Sequence, residues 1–175
     1  MNAKEFLQGR VWWREPIHPA MVHLPVGLWV SGLIFDIINV CRPGNHAMVL
    51  TSFWCIVGGL VGALLAIPFG VADWWDIKSD KPAHRLGILH LSINGVVWLI
   101  FVIDFAIRVG YVANATTVSI SQLILTIVGD VLLLISGYIG GLMVYDYGTA
   151  VGRFSKHHLR DLAIAGGANV PEKEQ

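Results

Sequence analysis

Charge is scarce in this chain. Asp, Glu, Lys and Arg make up 14% of its 175 residues, where a soluble domain carries about 25%. The charges present cancel, twelve basic against twelve acidic, so nucleic acid is not an expected partner. Cysteine is nearly absent: Cys41 and Cys55 form neither CxxC nor CxxCH, which excludes a thiol redox motif and covalent haem attachment. Neither a nucleophile–base pair, a phosphate loop nor HExxH is visible, so hydrolytic and transferase chemistry is disfavoured. The first residues, MNAKEFLQGRVWWRE, lack an apolar core before a small-residue cleavage site. A cleavable signal peptide is therefore not expected, and the first span should serve as its own insertion signal.

Apolar sequence is what the chain has in abundance. It is 55% hydrophobic, with a mean hydropathy of +0.64. About 20 apolar residues cross a bilayer core as a helix, and four segments meet that length. The reading is an all-α four-transmembrane-helix bundle with spans near 20–41, 47–72, 86–109 and 118–145. Residues 1–16 form a basic, tryptophan-bearing interfacial lead-in, residues 17–152 the membrane domain, and residues 153–175 a basic and then disordered tail. Lys4, Arg10, Arg14, Lys78, Lys81 and Arg85 share one side with the basic tail, while Arg42 and Arg108 stand alone on the other. The positive-inside rule then puts both termini in the cytoplasm.

Small residues mark close helix approaches. Gly58, Gly62, Ala66 and Gly70 recur every fourth residue along the second span. Gly129, Gly137 and Gly141 offer a second such face on the fourth, expected to meet the second span.

Polar residues inside the spans need partners. His18 and His23 open the first span, His84 precedes the third, and His90 and Asn94 lie in its first turns. Asp73 closes the second. Spans one and three start on the same side, so His23 and His90 are expected at one depth, with Gly27 and Gly87 leaving room for flat rings. Three readings compete. One is a b-type haem with His23 and His90 as axial ligands, Asn94 in support, and His18, His84 and Asp73 lining the mouth. Another is a transition-metal site drawn from the same histidines with Asp73. The third is no cofactor, the imidazoles simply satisfying backbone carbonyls and headgroups. His46, His157 and His158 read as solvated.

Asp36, Asp104 and Asp130 lie within spans, where a carboxylate costs about 2.5–3.5 kcal/mol on insertion scales. Asp104 and Arg108 are four apart and can pair along one helix. Asp36 and Asp130 could be protonated in place, or form a proton or ion path; Asp130 has no basic residue within a turn.

The chain resembles a known family. HPAMVHLP, the Gly-Val-Ala-Asp-Trp ending of span two, the histidine-bearing start of span three and SGYIGGLMVYDYG are similar to the bacterial DUF2231 family of predicted membrane proteins. The resemblance covers about residues 16–152, with Met143 where an aliphatic residue is expected. It implies a four-span bundle in the bacterial inner membrane and no assigned activity. Family members that look associated with Rieske-type redox modules tilt the expectation toward electron transfer with a redox partner. The alternative is an accessory or scaffold subunit of a membrane complex.

Overall fold

A hydrophobic chain that must satisfy every backbone N–H and C=O in lipid has helices as its simplest solution. The computed structural model describes residues 3–9 and 16–150, and those residues contain six helices and no strand. They are α1 (Ala3–Leu7), α2 (Ile17–Met21), α3 (His23–Cys41), α4 (His46–Trp74), α5 (Pro82–Val109) and α6 (Ile120–Tyr145). Four stretches are long and apolar enough to cross a membrane: Ile17–Cys41, His46–Trp74, Pro82–Val109 and Ile120–Tyr145.

Local chemistry sets the boundaries. Pro25 has no N–H to offer the Met21 carbonyl, and the first span breaks into α2 and α3 at Val22. Pro82 opens α5, where a missing N–H is harmless. Asn45 caps α4 by accepting from the Ala47 N–H, and Ser119 with Gln122 forms a reciprocal capping box on α6. Gly44, at φ +100, makes the left-handed turn between α3 and α4.

The helices alternate in direction and form two hairpins, α3–α4 and α5–α6, each packed more intimately within itself than against the other. The starts of α2 and α5 and the ends of α4 and α6 share what we term the near end. The 42–45 and 110–119 connections form the far end. The lead-in is more than an anchor: Gln8 is fully buried and donates to the Ala72 carbonyl and to Asp76, both at 2.7 Å, while Lys4 pairs with Asp76. This straps α1 to the near end of α4. The basic tail, His157 and His158, Trp12 and Trp13 lie outside the described residues.

The bundle is inside-out relative to a soluble one. Large aliphatic side chains such as Leu64, Leu99, Val131 and Leu134 are exposed, while Asp36, Asn39, Ser52, Asp104 and Arg108 are buried. Apolar surface facing lipid loses nothing, so packing falls to small residues and polar contacts. At mid-height the Trp29 and Phe101 rings stack 4.2 Å apart at 6°. Gly59 lies under Trp29 and Gly129 under Phe101; a Cβ on either would collide with the ring. Four helices thus meet through two rings held between two glycines.

That stack exposes a regularity. Trp29 and Phe101 are 72 residues apart, and so are Asp36 and Arg108, which bond, and His18 and His90, whose rings approach. Residues of α4 and α6 match at a separation of 70: Gly59 with Gly129, Ala66 with Ser136, Gly70 with Gly140. α3 also touches α6 as α5 touches α4. The two hairpins are parallel repeats related by a pseudo-two-fold axis along the bundle.

The second-span glycine face packs as expected, but against its own hairpin: Gly58 and Gly62 admit Leu28 and Leu24. The expected contact of the fourth-span glycines with the second span is not formed. Gly129 faces Phe101 of α5, and Gly137 faces open space.

Candidate functional site

Buried residues of α3 fall at Pro25, Trp29, Gly32, Asp36 and Asn39, a 4-3 stripe. Continued backward across the break, the stripe passes through His18 and misses His23. The structure follows it: His23 is exposed and His18 is half-buried on the axis. The pairing expected between His23 and His90 therefore belongs to His18 and His90, whose ring centroids are 6.4 Å apart with planes at 87°. Helical geometry gives the reason. Residues five apart are turned by about 140°, so His18 and His23 cannot face the same neighbour.

Each ring of the pair is anchored the same way. His18 Nδ1 lies 3.1 Å from the Ala66 carbonyl on α4. His90 Nδ1 lies 2.9 Å from the Ser136 carbonyl on α6. A carbonyl accepts only, so each Nδ1 carries the proton and each Nε2 is left as a lone-pair donor. Each ring also rests on a glycine, Gly70 for His18 and Gly140 for His90, where a Cβ would come within 2.7 and 3.1 Å of the ring. The glycines expected to serve the rings do other work: a Cβ on Gly27 would meet nothing within 4 Å, and Gly87 accommodates Trp74.

Asn94 supports the pair as anticipated. Its amide nitrogen lies 3.1 Å from His90 Nε2, 2.9 Å from the His90 carbonyl and 2.6 Å from Ser136 Oγ. Two N–H groups cannot serve three acceptors fully, so Nε2 can be released while the other contacts hold. His84 stands apart: its ring tilts against Trp74 at 4.7 Å and its carbonyl accepts from the Trp74 indole at 3.1 Å. Asp73 is buried at the end of α4. No group of three or more His, Cys, Asp or Glu side chains with metal-binding geometry occurs among the described residues. The wider metal site drawn from His18, His23, His84, His90 and Asp73 is thus not assembled.

The far end carries a second polar cluster. Arg108 donates through Nη1 and Nη2 to the two Asp36 oxygens at 2.9 and 2.6 Å, and through Nε to both Asp104 oxygens at 3.0 Å. Ser52 bridges Arg108 and Asp36, and Thr126 donates to Asp36 at 3.2 Å. The Asp104–Arg108 pair expected from spacing is present; Asp36, contributed by another helix, completes it. Asn39 and His46 then tie the two far-end connections together, Asn39 to Thr116 and Val118 and His46 to Ala115 at 2.7 Å. His46 is half-buried and bonded, not solvated as expected. Asp130 is 4% exposed, and neither carboxyl oxygen has a hydrogen-bond partner. Cys41 and Cys55 are free thiols.

A four-span helical bundle with polar clusters along its axis is an integral membrane protein held in a lipid bilayer. Residues 14–153 match the family described as predicted membrane protein (DUF2231), and the chain belongs to that family. No curated protein and no solved structure matches it.

Proposed function

We propose that this protein is a membrane redox component that holds a b-type haem iron between His18 and His90, near the end of the bundle where both hairpins start. The observation that carries the reading is the pair itself: two symmetry-related imidazoles, each pinned through Nδ1 to a carbonyl of its own hairpin, 6.4 Å apart across the axis. Metal–nitrogen bonds of about 2 Å, with roughly 1.1 Å from nitrogen to ring centre, hold two coaxial imidazoles roughly 6 Å apart. Backbone carbonyls on the remote nitrogen are the usual way a ligating histidine is oriented. Two protein ligands suit an iron whose remaining positions a macrocycle fills, and fall short of a tetrahedral site made by protein alone. The histidine hydrogen bonds stay within each hairpin, so parting the hairpins here breaks neither anchor. His18 and His90 would hold the iron, oriented by the Ala66 and Ser136 carbonyls, and haem bound there would supply one-electron chemistry. We further place the near end in the cytoplasm, because the basic residues flank it.

Protein purified from a haem-replete host should show a Soret band that is lost in His18→Ala and in His90→Ala and kept in His23→Ala. A colourless preparation that takes up no haem overturns the reading. Stoichiometric iron, copper or zinc without haem would reassign the pair to a bare metal ion.

A further inference from the structure

The pseudo-symmetry isolates one residue that the scaffold does not require. At the separation of 70 that relates α4 to α6, Asp130 corresponds to Leu60, an apolar residue packed against the central cluster. The first hairpin fills this position with a hydrocarbon; the second puts a carboxyl there. Asp130 is 4% exposed, and both its oxygens lack partners. Trp98 Nε1 and Gln8 Oε1 also lack partners, but the neighbouring buried carboxylates are bonded, Asp36 by Arg108, Ser52 and Thr126 and Asp104 by Arg108. A buried carboxyl without a hydrogen-bond partner calls for a small ligand.

Charge counting identifies that ligand. The charged groups in this half of the bundle are Asp36 on α3 and Asp104 and Arg108 on α5, with the Cys55 thiol on α4. One guanidinium already serves two carboxylates, so an ionised Asp130 would add an uncompensated negative charge within reach of Asp36. Asp130 lies one turn from Thr126, whose hydroxyl bonds Asp36. On the other side the apolar cluster of Trp29, Ile56, Val97, Phe101 and Leu133 interrupts the polar line toward the histidines. Asp130 is not bonded to Thr126, but it stands one turn beyond the inner end of the bonded row of Thr126, Asp36 and Arg108 that leads to the far end.

We propose that Asp130 is an exchangeable proton-binding site in the middle of the membrane, filled and emptied from the far end past Thr126 and Asp36. The step is simple protonation: the carboxylate takes up one proton to become the neutral acid and returns it along the same line. It needs no bound cofactor, so it stands or falls separately from the haem reading.

Infrared spectroscopy of the full-length protein in lipid bilayers tests this. The wild type should show the carbonyl band of a neutral carboxylic acid that shifts in D2O. That band should be missing in Asp130→Asn, whose neutral amide copies the protonated state. Asp130→Glu should keep the band at an altered frequency and covers the case in which the Asn variant does not fold. Thr126→Val should slow the D2O shift several-fold while leaving the band. The proposal is overturned if no neutral-acid band belongs to residue 130, including the case in which the carboxylate is ionised and retains sodium. It is equally overturned if the band stays unshifted in D2O until the protein is denatured.

Discussion

The two ends of this bundle solve the same geometric problem in opposite ways. At each end the pseudo-two-fold axis brings one residue of α2–α3 against its mate on α5. At the far end the mates are unlike, Asp36 and Arg108, and they bond directly at 2.6 and 2.9 Å. At the near end the mates are alike, His18 and His90. Each puts its Nδ1 on its own hairpin, and across the axis the two meet only ring to ring at 6.4 Å. Unlike mates close an interface; like mates leave it to be closed by something else. The far end therefore reads as the lock of the bundle, and the near end is where the proposed site falls.

Removing one member of the lock gives the largest effect expected. Arg108→Ala strands two carboxylates that are fully buried, and breaking a buried pair in this way costs about 3–5 kcal/mol. Unfolding in detergent, by heat or denaturant, measures it. Neutralising both acids as well, in Asp36→Asn with Asp104→Asn on the Arg108→Met background, should recover much of the loss, because the cost lies in orphaned charge more than in the pair. If Arg108→Ala were as stable as the wild type, the contrast between the ends would disappear.

The central stack separates the ends and ranks the next effect. Gly59→Ala would bring a Cβ within 2.3 Å of the Trp29 indole, and Gly129→Ala within 2.8 Å of the Phe101 ring. The rings are stacked on each other and cannot both retreat. Overpacking of this kind costs about 1–3 kcal/mol, with Gly59→Ala the more damaging of the two by the same unfolding measurement. Equal costs would mean that the hairpins relax independently and that the stack does not couple them.

His90→Ala should destabilise the cofactor-free protein by only about 1–2 kcal/mol, the net value of a neutral hydrogen bond or two. The identical unfolding curve that reports a collapse for Arg108→Ala should barely move. A loss as large as that of Arg108→Ala would make the near end a second lock and remove the case for a site there.

How much of this could be read from the chain depended on where the partners lie in sequence. The four spans followed from apolar length; their starts did not, the third helix beginning at Pro82 and not near residue 86, because Pro82, Asn45 and Ser119 set helix starts by local chemistry that apolar length does not register. Asp104 and Arg108 are four apart on one helix, so their pairing was legible; Asp36 joins them from 72 residues away, beyond any local spacing rule. Depth and the neighbouring glycines point to His23, whereas helical angle points to His18. The 4-3 stripe through Pro25, Trp29, Gly32, Asp36 and Asn39 held the answer, and so did sliding the sequence past itself by 72. That shift sets His18 on His90, Trp29 on Phe101 and Asp36 on Arg108. The similarity is confined to a few axis positions, since lipid-facing residues need only be apolar, and it is faint unless the stripe is known first. Asp130 has no basic residue within a turn of it in sequence, and the fold leaves it without a hydrogen-bond partner.

The smallest expected effect is also a control on the comparison. A Cβ on Gly137 would meet nothing within 4 Å, whereas a Cβ on Gly140, one turn further along α6, would come within 3.1 Å of His90. Gly137→Ala should therefore leave stability within about 0.5 kcal/mol of the wild type, as surface substitutions do, and leave any haem spectrum unchanged. Gly140→Ala should be nearly as mild for stability, because only the flexible end of one ring must give, yet it should shift the haem spectrum or weaken haem retention by displacing His90. Loss of stability in Gly137→Ala would show that this face of α6 is covered, by a second copy or another helix, and that the contrast between the two ends leaves out a third contact surface.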